Sequence, residues 1–270
     1  MDCFNNEKIY KEDDLLELNL LNSSKGNQHK WYDSETNVYV KGQFMYQNKA
    51  WKDYLVEILA HKLAKQMNLS TAVLEQTKCK IITKDATILG VISKDFSVDE
   101  IEYISFYRLS ATALNNQFPK NATNTTIFNY IRDIIYDICK FDCHNYVLDM
   151  LLLDTLLCNE DRHLHNFGVF RQGTVFKPAV LFDFGLGMFE HDRKYENIVS
   201  VEQVFDMVSC KPFQSNPIAN INWLKLNQSE YLSKTLPKAL SVENADFPNR
   251  LAREYFSYVC SKLGVEVRYV

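Results

Sequence analysis

Two kinds of apolar spacing alternate along the first third of the chain, and each predicts a different element. In residues 28–47, aromatic and β-branched residues alternate with polar ones on both sides of the turn sequence DSETN, which predicts a β-hairpin. Residues 49–68 then carry an apolar stripe with residues three or four positions apart, which predicts an amphipathic helix. This stripe consists of Leu55, Ile58, Leu59, Leu63 and Met67.

Strand-like composition returns after this helix. Residues 71–84 and 86–94 are rich in β-branched residues, and Lys84 and Asp85 supply a turn between them. Residues 1–98 are therefore predicted to fold as strand, strand, helix, strand and strand.

The remainder of the chain has mainly helical spacing. Thr125 or Thr126 is placed to cap a helix. The apolar stripe of that helix consists of Ile127, Ile131, Ile134 and Ile138. A mostly buried helix is predicted over residues 146–157, followed by two short strands at residues 168–170 and 179–185.

Further helices are predicted from about residue 199, the last of them in the sequence NRLAREYFSYVCSKLG. The order of elements predicts an α+β protein with two lobes. A small β-rich N-lobe with one main helix spans residues 1–98, and a larger helical C-lobe spans residues 99–270. Clefts between lobes are favoured ligand sites.

Composition narrows the class of protein. The 270 residues are 46% hydrophobic, which supports a large core and excludes a disordered chain. Lys and Arg number 30 against 34 Asp and Glu, a net charge of −4, so direct nucleic-acid binding is not expected. No apolar run approaches the about 20 residues that span a bilayer, so no membrane span is predicted.

Cysteine usage points to a reducing compartment. The seven cysteines include no CxxC pair, and the N-terminal residues carry acids where a signal peptide carries basic residues. These features predict a cytoplasmic protein. Cys139, Cys143 and His144 are a candidate zinc cluster, but the paired ligand spacing of zinc sites is missing elsewhere.

The most informative segment is LLCNEDRHLHNFGVF, which is closely followed by AVLFDFG. Asp161 and Asn166 lie in a predicted loop after a buried helix, and Asp183 lies at the end of a predicted buried strand. Phosphoryl transfer needs a group that orients the attacking hydroxyl and oxygen ligands for Mg²⁺. In protein kinases, an Asp and an Asn of one loop together with a strand-end Asp supply these roles.

The pattern N-x-DRH-x-x-N followed by DFG resembles the HipA-like kinases, including the shorter secreted bacterial kinases of that group. The resemblance is specific over residues 154–187, moderate over 22–98 and weak in the C-terminal part. It implies a bilobal protein-kinase-like fold, ATP and Mg²⁺ as cofactors, and Ser or Thr of a protein as the phosphate acceptor. It also admits a secreted effector without a classical signal peptide.

Position by position, the resemblance implies that Asp161 is the catalytic aspartate and that Asn166 and Asp183 are the magnesium ligands. Lys41, at the end of the strand VYVK, would reach the α- and β-phosphates. Glu57, an acidic residue in the central turns of the following helix, would hold Lys41 in place.

The nucleotide would contact two further segments. The phosphate loop is LNSSKGNQHKWYD, in which Ser24, Lys25 and Gly26 would cradle phosphate with their backbone amides. The Gly-x-Gly-x-x-Gly of ordinary kinases is absent there. At the connection between the lobes, the backbone of residues 91–94, including Val91, Ile92 and Ser93, would meet the adenine. Ser23 and Ser24 beside bound ATP are candidates for autophosphorylation.

Three alternatives stay open from the sequence. A pseudokinase or interaction module would bind nucleotide without turnover, and a lipid or small-molecule kinase would use the same residues on another acceptor. A metallohydrolase would use Asp161, His163 and His165 as metal ligands. The chain also lacks the Ala-Pro-Glu segment that follows DFG in ordinary kinases, so their activation-loop regulation does not carry over.

Overall fold

The N-terminal part of the chain is built on a six-stranded sheet. The computed structural model describes residues 8–18, 29–46, 49–97, 101–113, 117–189, 193–195 and 197–270. The strands of this sheet are β1 (Lys8–Lys11), β2 (Leu16–Glu17), β3 (Lys30–Asp33), β4 (Val38–Gly42), β7 (Thr77–Ile82) and β8 (Thr87–Lys94). Their order is β1-β7-β8-β4-β3-β2. Within this described sheet, β1 and β7 pair in parallel and the other neighbouring strands pair antiparallel. The sequence analysis did not predict β1 or β2.

The hairpin β3–β4 forms where the alternating pattern predicts it. Tyr32 pairs with Tyr39 and Asp33 with Val38 across the turn. The Asp33 carboxylate closes the turn by accepting a hydrogen bond of 2.6 Å from the Thr36 hydroxyl. Every second side chain faces a small core, because successive strand residues point to opposite faces. This core contains Trp31, Val38, Val40, Cys79, Ile81 and Ile92.

One helix, α1 (Asp53–Ala64), packs against this sheet. It is shorter than predicted at its N-terminal end, because the short strands β5 (Met45–Tyr46) and β6 (Lys49–Ala50) pair with each other there. The buried side of α1 includes Val56, Leu59 and Leu63, each fully removed from solvent. Glu57 lies on the same helix and is also buried.

The C-terminal part of the described chain consists mainly of helices. They are α2 (Phe106–Thr112), α3 (Asn124–Cys139), α4 (His144–Leu156), α5 (Val201–Phe205), α6 (Pro217–Asn227), α7 (Ser229–Thr235) and α8 (Arg250–Leu263). Helix α4 is buried along nearly its whole length and lies within the main hydrophobic core. The N-cap of α3 is Thr123, whose hydroxyl accepts from the Thr126 amide, so the predicted cap at Thr125 or Thr126 was wrong.

Two small sheets complete the described fold. One contains β9 (Glu102–Ser105), β10 (Gly168–Gln172) and β11 (Val175–Pro178). The other pairs β12 (Ala239–Val242) in parallel with β13 (Glu266–Tyr269) and was not predicted.

The strand predicted over residues 179–185 does not form. After Pro178 the chain makes only an isolated bridge between Leu181 and Val73, with two backbone hydrogen bonds of 2.8 and 2.9 Å to residues 72 and 74. The bridge helps to hold the chain in place shortly before Asp183. Among the described helices, none is long and apolar enough to cross a membrane.

Candidate active site

An ion pair joins strand β4 to helix α1. The Lys41 ammonium lies 2.7 Å from Glu57 Oε1, and the two side chains are 16% and 1% exposed. Register explains the position of Lys41, because Val40 on one side of it faces the small core and alternate residues must face the other way. The pair that the sequence predicted is therefore formed.

Glu57 also connects this pair to the segment that follows Asp183. Its Oε2 accepts hydrogen bonds from the Phe184 amide at 3.1 Å and from Gln76 Nε2 at 3.3 Å. Gly185 packs closely here, because a Cβ at this position would lie 3.2 Å from Glu57 Oε1, a tight contact, and 3.5 Å from Lys41 Nζ. One buried carboxylate thus joins three segments of the chain.

Asp183 lies between Lys41 and Asn166. Its Oδ1 is 3.1 Å from Lys41 Nζ, and its Oδ2 accepts a hydrogen bond of 2.8 Å from Asn166 Nδ2. Its φ of +61° places it in the left-handed region, which non-glycine residues rarely adopt. Such backbone conformations persist where surrounding contacts enforce them and are frequent at functional sites.

The pKa shifts at this point follow from the two lysines nearby. Burial disfavours the charged carboxylate of Asp183, but the ammonium groups of Lys41 and Lys30 outweigh it and lower its pKa. Burial likewise opposes the charge on Lys41, while Glu57 and Asp183 outweigh it and raise its pKa. Both groups are thus charged at neutral pH.

Asp161 lies on the loop after α4. Its side chain is 36% exposed, and Lys211 Nζ is 3.4 Å from its Oδ1. Its backbone is fixed at both ends, since its amide donates to Asn159 Oδ1 at 3.2 Å and its carbonyl accepts from the His163 amide at 2.7 Å. The loop therefore presents one accessible carboxylate near Asn166, whose Nδ2 is 3.5 Å from the Asp161 carbonyl.

Arg162 holds this loop to the rest of the site. It is fully buried and donates to both oxygens of Asp154 on α4, at 2.9 and 2.8 Å. It also donates to the carbonyls of Asn166 and Phe182, and its guanidinium lies 4.5 Å from the ring centre of Phe184. The sequence analysis did not assign this function to Arg162, although a lone buried Asp in the apolar run LLLDTLL was a signal for a buried cationic partner.

His163 accepts a hydrogen bond from the backbone of the same loop. Its Nδ1 accepts a hydrogen bond of 3.3 Å from the His165 amide. Burial lowers its pKa, so the imidazole is neutral at neutral pH. Across the described ranges, no three His, Cys, Asp or Glu side chains are grouped to hold a metal ion.

Lys30 is a further site residue that sequence reasoning missed. It lies on β3 directly opposite Lys41 in the register of the β3–β4 pair, so both side chains extend to the same face of the sheet. Burial and the charge of Lys41 lower the pKa of Lys30, while Asp183 and Glu57 oppose that effect. The signal was available, because the predicted hairpin fixes this register.

The residues predicted to contact the nucleotide base and phosphates are less completely described. Ser24, Lys25 and Gly26, as well as Ser23, lie outside the described residues. Val91 and Ile92 lie within β8, where they pair with β4 on one side and β7 on the other.

Ser93 pairs with Tyr39 only. Val91 and Ile92 therefore have strand neighbours on both sides, whereas Ser93 has one on a single side. Beyond Ser93, the ring of Phe96 lies 5.5 Å from that of Phe182, the residue before Asp183.

Comparison with solved structures identifies the fold. No protein-family model matches the sequence, and it matches no curated protein. The proinflammatory kinase CtkA of Helicobacter pylori is similar over 95% of both chains, with 17% identity and a TM-score of 0.54.

Two longer proteins are less similar to this chain. HipA, from a complex of a Shewanella oneidensis toxin–antitoxin system with its operator DNA, has a TM-score of 0.39 and 13% identity over 92% of this chain and 64% of its own. The Neurospora crassa PAN3 pseudokinase has a TM-score of 0.33 and 11% identity over 96% of this chain and 60% of its own. On the first match, the predicted α+β fold is confirmed: the chain has a protein-kinase-like fold, with an N-terminal curled sheet carrying one helix and a helical C-terminal region.

Proposed function

We propose that this chain is an ATP- and Mg²⁺-dependent kinase that transfers the γ-phosphoryl group of ATP to a Ser or Thr hydroxyl of a protein. The observation that carries the proposal is the unbroken series of contacts from Glu57 through Lys41 and Asp183 to Asn166. It joins the N-terminal sheet to the loop that carries Asp161. In this proposal residues 1–98 hold the nucleotide, and residues 99–270 supply the catalytic loop and the metal ligands.

Asp161 has the exposure that a group acting on the acceptor needs. Its carboxylate is 36% exposed, whereas the neighbouring Glu160 is 15% exposed and bonds to Lys194 and Tyr195. The acceptor hydroxyl would donate its hydrogen bond to Asp161, which orients the oxygen toward the γ-phosphorus and receives the proton as the new bond forms.

The donor set suits magnesium. The carboxylate of Asp183 and the side-chain amide of Asn166 are in contact, and oxygen donors of these two kinds are typical Mg²⁺ ligands. Protein sites for Mg²⁺ commonly supply one or two ligands and leave the others to phosphates and water, so a cluster of three acidic side chains is not required. When bound, Mg²⁺ neutralises the charge of the phosphates.

Lys41 would bind the α- and β-phosphates, and Lys30 would add a second positive charge beside it. Both lysines act on the pKa of Asp183, which indicates that their charges reach the same part of the site. Positioning and charge stabilisation account for most of the rate enhancement in phosphoryl transfer. The charges needed are thus supplied by a few residues in a chain that is acidic overall.

The proposal is tested by incubating the full chain with radiolabelled Mg·ATP and a cell extract as the source of acceptors. We expect label on Ser or Thr, lost by about a hundredfold or more in Asp161→Asn and Asp183→Asn, each with an unchanged circular dichroism spectrum. Asp137→Asn, an exposed position on α3, is the matched control and should keep full activity.

The alternatives give different results in the same experiment. Binding of Mg·ATP without transfer would support the pseudokinase alternative, and label in lipids or small molecules would support another acceptor. Full activity in both Asp161→Asn and Asp183→Asn would contradict the proposal.

A further inference from the structure

Lys211 approaches Asp161 from outside the catalytic loop. Its ammonium is 3.4 Å from Asp161 Oδ1, and the two side chains are 56% and 36% exposed. They are fifty positions apart in sequence, and Lys211 belongs to the segment between α5 and α6. The kinase motifs predict nothing at this position.

The segment that carries Lys211 is firmly anchored. Cys210 and Ser215 are bridged by a backbone hydrogen bond of 2.9 Å, and the Gln214 amide donates to the Cys210 carbonyl at 3.0 Å. Between them the Phe213 side chain is only 1% exposed. The Gln214 side chain accepts from the Asn121 amide and donates to the Pro119 carbonyl. Lys211 is therefore an exposed residue of a turn whose backbone is held in place.

Stability does not account for this arrangement. An ion pair between two partly exposed side chains contributes little to the free energy of folding, because water screens it and both side chains lose freedom. The charge of Lys211 also reaches His163 in the catalytic loop. Burial is the largest cause that lowers the pKa of His163, and Lys211 lowers it further. Lys211 thus places a mobile positive charge at the accessible side of Asp161.

The other cations of the site lie elsewhere. Lys41 contacts Asp183 at 3.1 Å, and Lys30 lies opposite Lys41 on the sheet. Among the ion pairs of the described chain, Lys211 is the cation that contacts Asp161. During transfer, the acceptor oxygen contacts both Asp161 and the γ-phosphorus. A flexible ammonium 3.4 Å from Asp161 is therefore within reach of the γ-phosphoryl oxygens.

The geometry points to Lys211 as a catalytic residue that binds the γ-phosphoryl group while it is transferred, an inference that rests on the proposed kinase function. The acceptor oxygen forms a bond to the γ-phosphorus, and the bond from that phosphorus to the β–γ bridging oxygen breaks. ADP leaves with the electron pair, and the hydroxyl proton passes to Asp161. Lys211 stays protonated and donates hydrogen bonds to the γ-phosphoryl oxygens, where negative charge is concentrated.

The test uses a probe that requires no knowledge of the acceptor. Mg·ADP with aluminium fluoride mimics the phosphoryl group in transfer, and calorimetry of the full chain measures how much fluoride tightens ADP binding. We expect tightening by about tenfold or more in the wild type, loss of it in Lys211→Met and partial recovery in Lys211→Arg. The affinity for ADP alone should stay within about twofold in both variants, because Lys211 would contact only the transferred group.

Kinetics provide the second measurement. We expect kcat for ATP hydrolysis to fall about a hundredfold in Lys211→Met with KM for ATP nearly unchanged, and Lys211→Arg to recover most of it. Lys238→Met removes the same charge at an exposed position before β12 and should match the wild type in both measurements.

The outcomes separate the two proposals. If Lys211→Met keeps both the wild-type tightening of ADP binding by aluminium fluoride and the wild-type rate of ATP hydrolysis, the role of Lys211 is overturned. The kinase function would then stay intact. A wild-type chain that binds no Mg·ADP or Mg·ATP would overturn the kinase function, and the role of Lys211 with it.

Discussion

Arg162 and Asp154 form a bidentate ion pair in which neither side chain is more than 2% exposed. Nε and one terminal nitrogen of the guanidinium donate to the two carboxylate oxygens, at 2.9 and 2.8 Å. The pair holds the catalytic loop to helix α4 and, through the Phe182 carbonyl, to the segment that ends at Asp183. The two segments of the candidate site that carry Asp161 and Asp183 are therefore held by one buried arginine.

We expect Asp154→Ala to lower the free energy of unfolding by about 3–5 kcal/mol, because it leaves the charge of Arg162 buried without its partner. Urea denaturation followed by circular dichroism measures this change. Glu102→Ala is the control, since Glu102 pairs with Arg108 and Arg171 at the surface and should cost less than about 1 kcal/mol. Equal losses in the two variants would contradict the importance of the buried pair.

Gly185→Ala tests how tightly the ion pair of Lys41 and Glu57 is confined. The added Cβ would lie 3.2 Å from Glu57 Oε1, so we expect the pair to shift and Mg·ATP to bind about tenfold more weakly. Isothermal titration calorimetry measures the affinity. Gly173→Ala is the contrasting variant, because a Cβ added at Gly173 would have nothing within 4 Å. The φ of +60° at this position strains any alanine placed there. It should cost stability of about 1 kcal/mol without weakening nucleotide binding.

Lys30→Met tests whether the residue opposite Lys41 contributes to phosphate binding. Loss of one charged contact predicts about tenfold weaker binding of Mg·ATP, with a smaller effect on adenosine, which carries no phosphate. A fluorescent ATP analogue displaced by each ligand measures both affinities. The control is Lys120→Met, an exposed lysine of the C-terminal part, which should change neither affinity. Weakening of ATP and adenosine to the same degree would indicate a disturbed fold instead.

We expect Asp53→Asn to change how the free energy of unfolding depends on pH. Burial raises the pKa of Asp53 to about 6, although Lys41 opposes the shift. Since the folded state holds this proton more tightly than the unfolded state, ionisation of Asp53 destabilises the wild type as the pH rises from about 4 to about 6. Below that pH window the ionisation of Asp53 takes no stability from the folded state, and above it the full loss of stability is present.

The variant lacks this titration, and asparagine retains an oxygen that can accept the hydrogen bond of 3.0 Å from the Phe44 amide. We therefore expect the stability of Asp53→Asn relative to the wild type to increase by about 3 kcal/mol between pH 4 and pH 7. Urea denaturation at a series of pH values measures the difference. A difference that does not change with pH would show that Asp53 ionises as freely in the folded state as in the unfolded state.

Local patterns predicted the longer helices and strands of the described chain. The alternation around DSETN predicted the β3–β4 hairpin, and the buried run before Asn159 predicted α4. They failed where a contact distant in sequence decides the conformation. Residues 179–182 have strand-like composition, yet Leu181 has a partner only at Val73, so no strand extends there.

The sequence likewise predicted some residues of the candidate site and missed others. The spacing of Asp161, Asn166 and Asp183 pointed to phosphoryl transfer, and the hairpin pattern placed Lys41 at the end of its strand. Neither assigned Arg162 as the support of the loop, because one of its partners, the Phe182 carbonyl, lies on a different segment of the chain. Lys211 was also not indicated, since it lies fifty positions from Asp161 and belongs to none of the kinase motifs.

By itself, the sequence determined which groups can take part in the chemistry and which local elements carry them, because hydrophobic period and motif spacing act over short distances. Only the tertiary structure decided which charges meet: Lys41 with both Glu57 and Asp183, Arg162 with Asp154, and Lys211 with Asp161. The physical reason is that burial sets the strength of these interactions and the pKa values that result. Burial depends on elements far apart in the chain packing against one another.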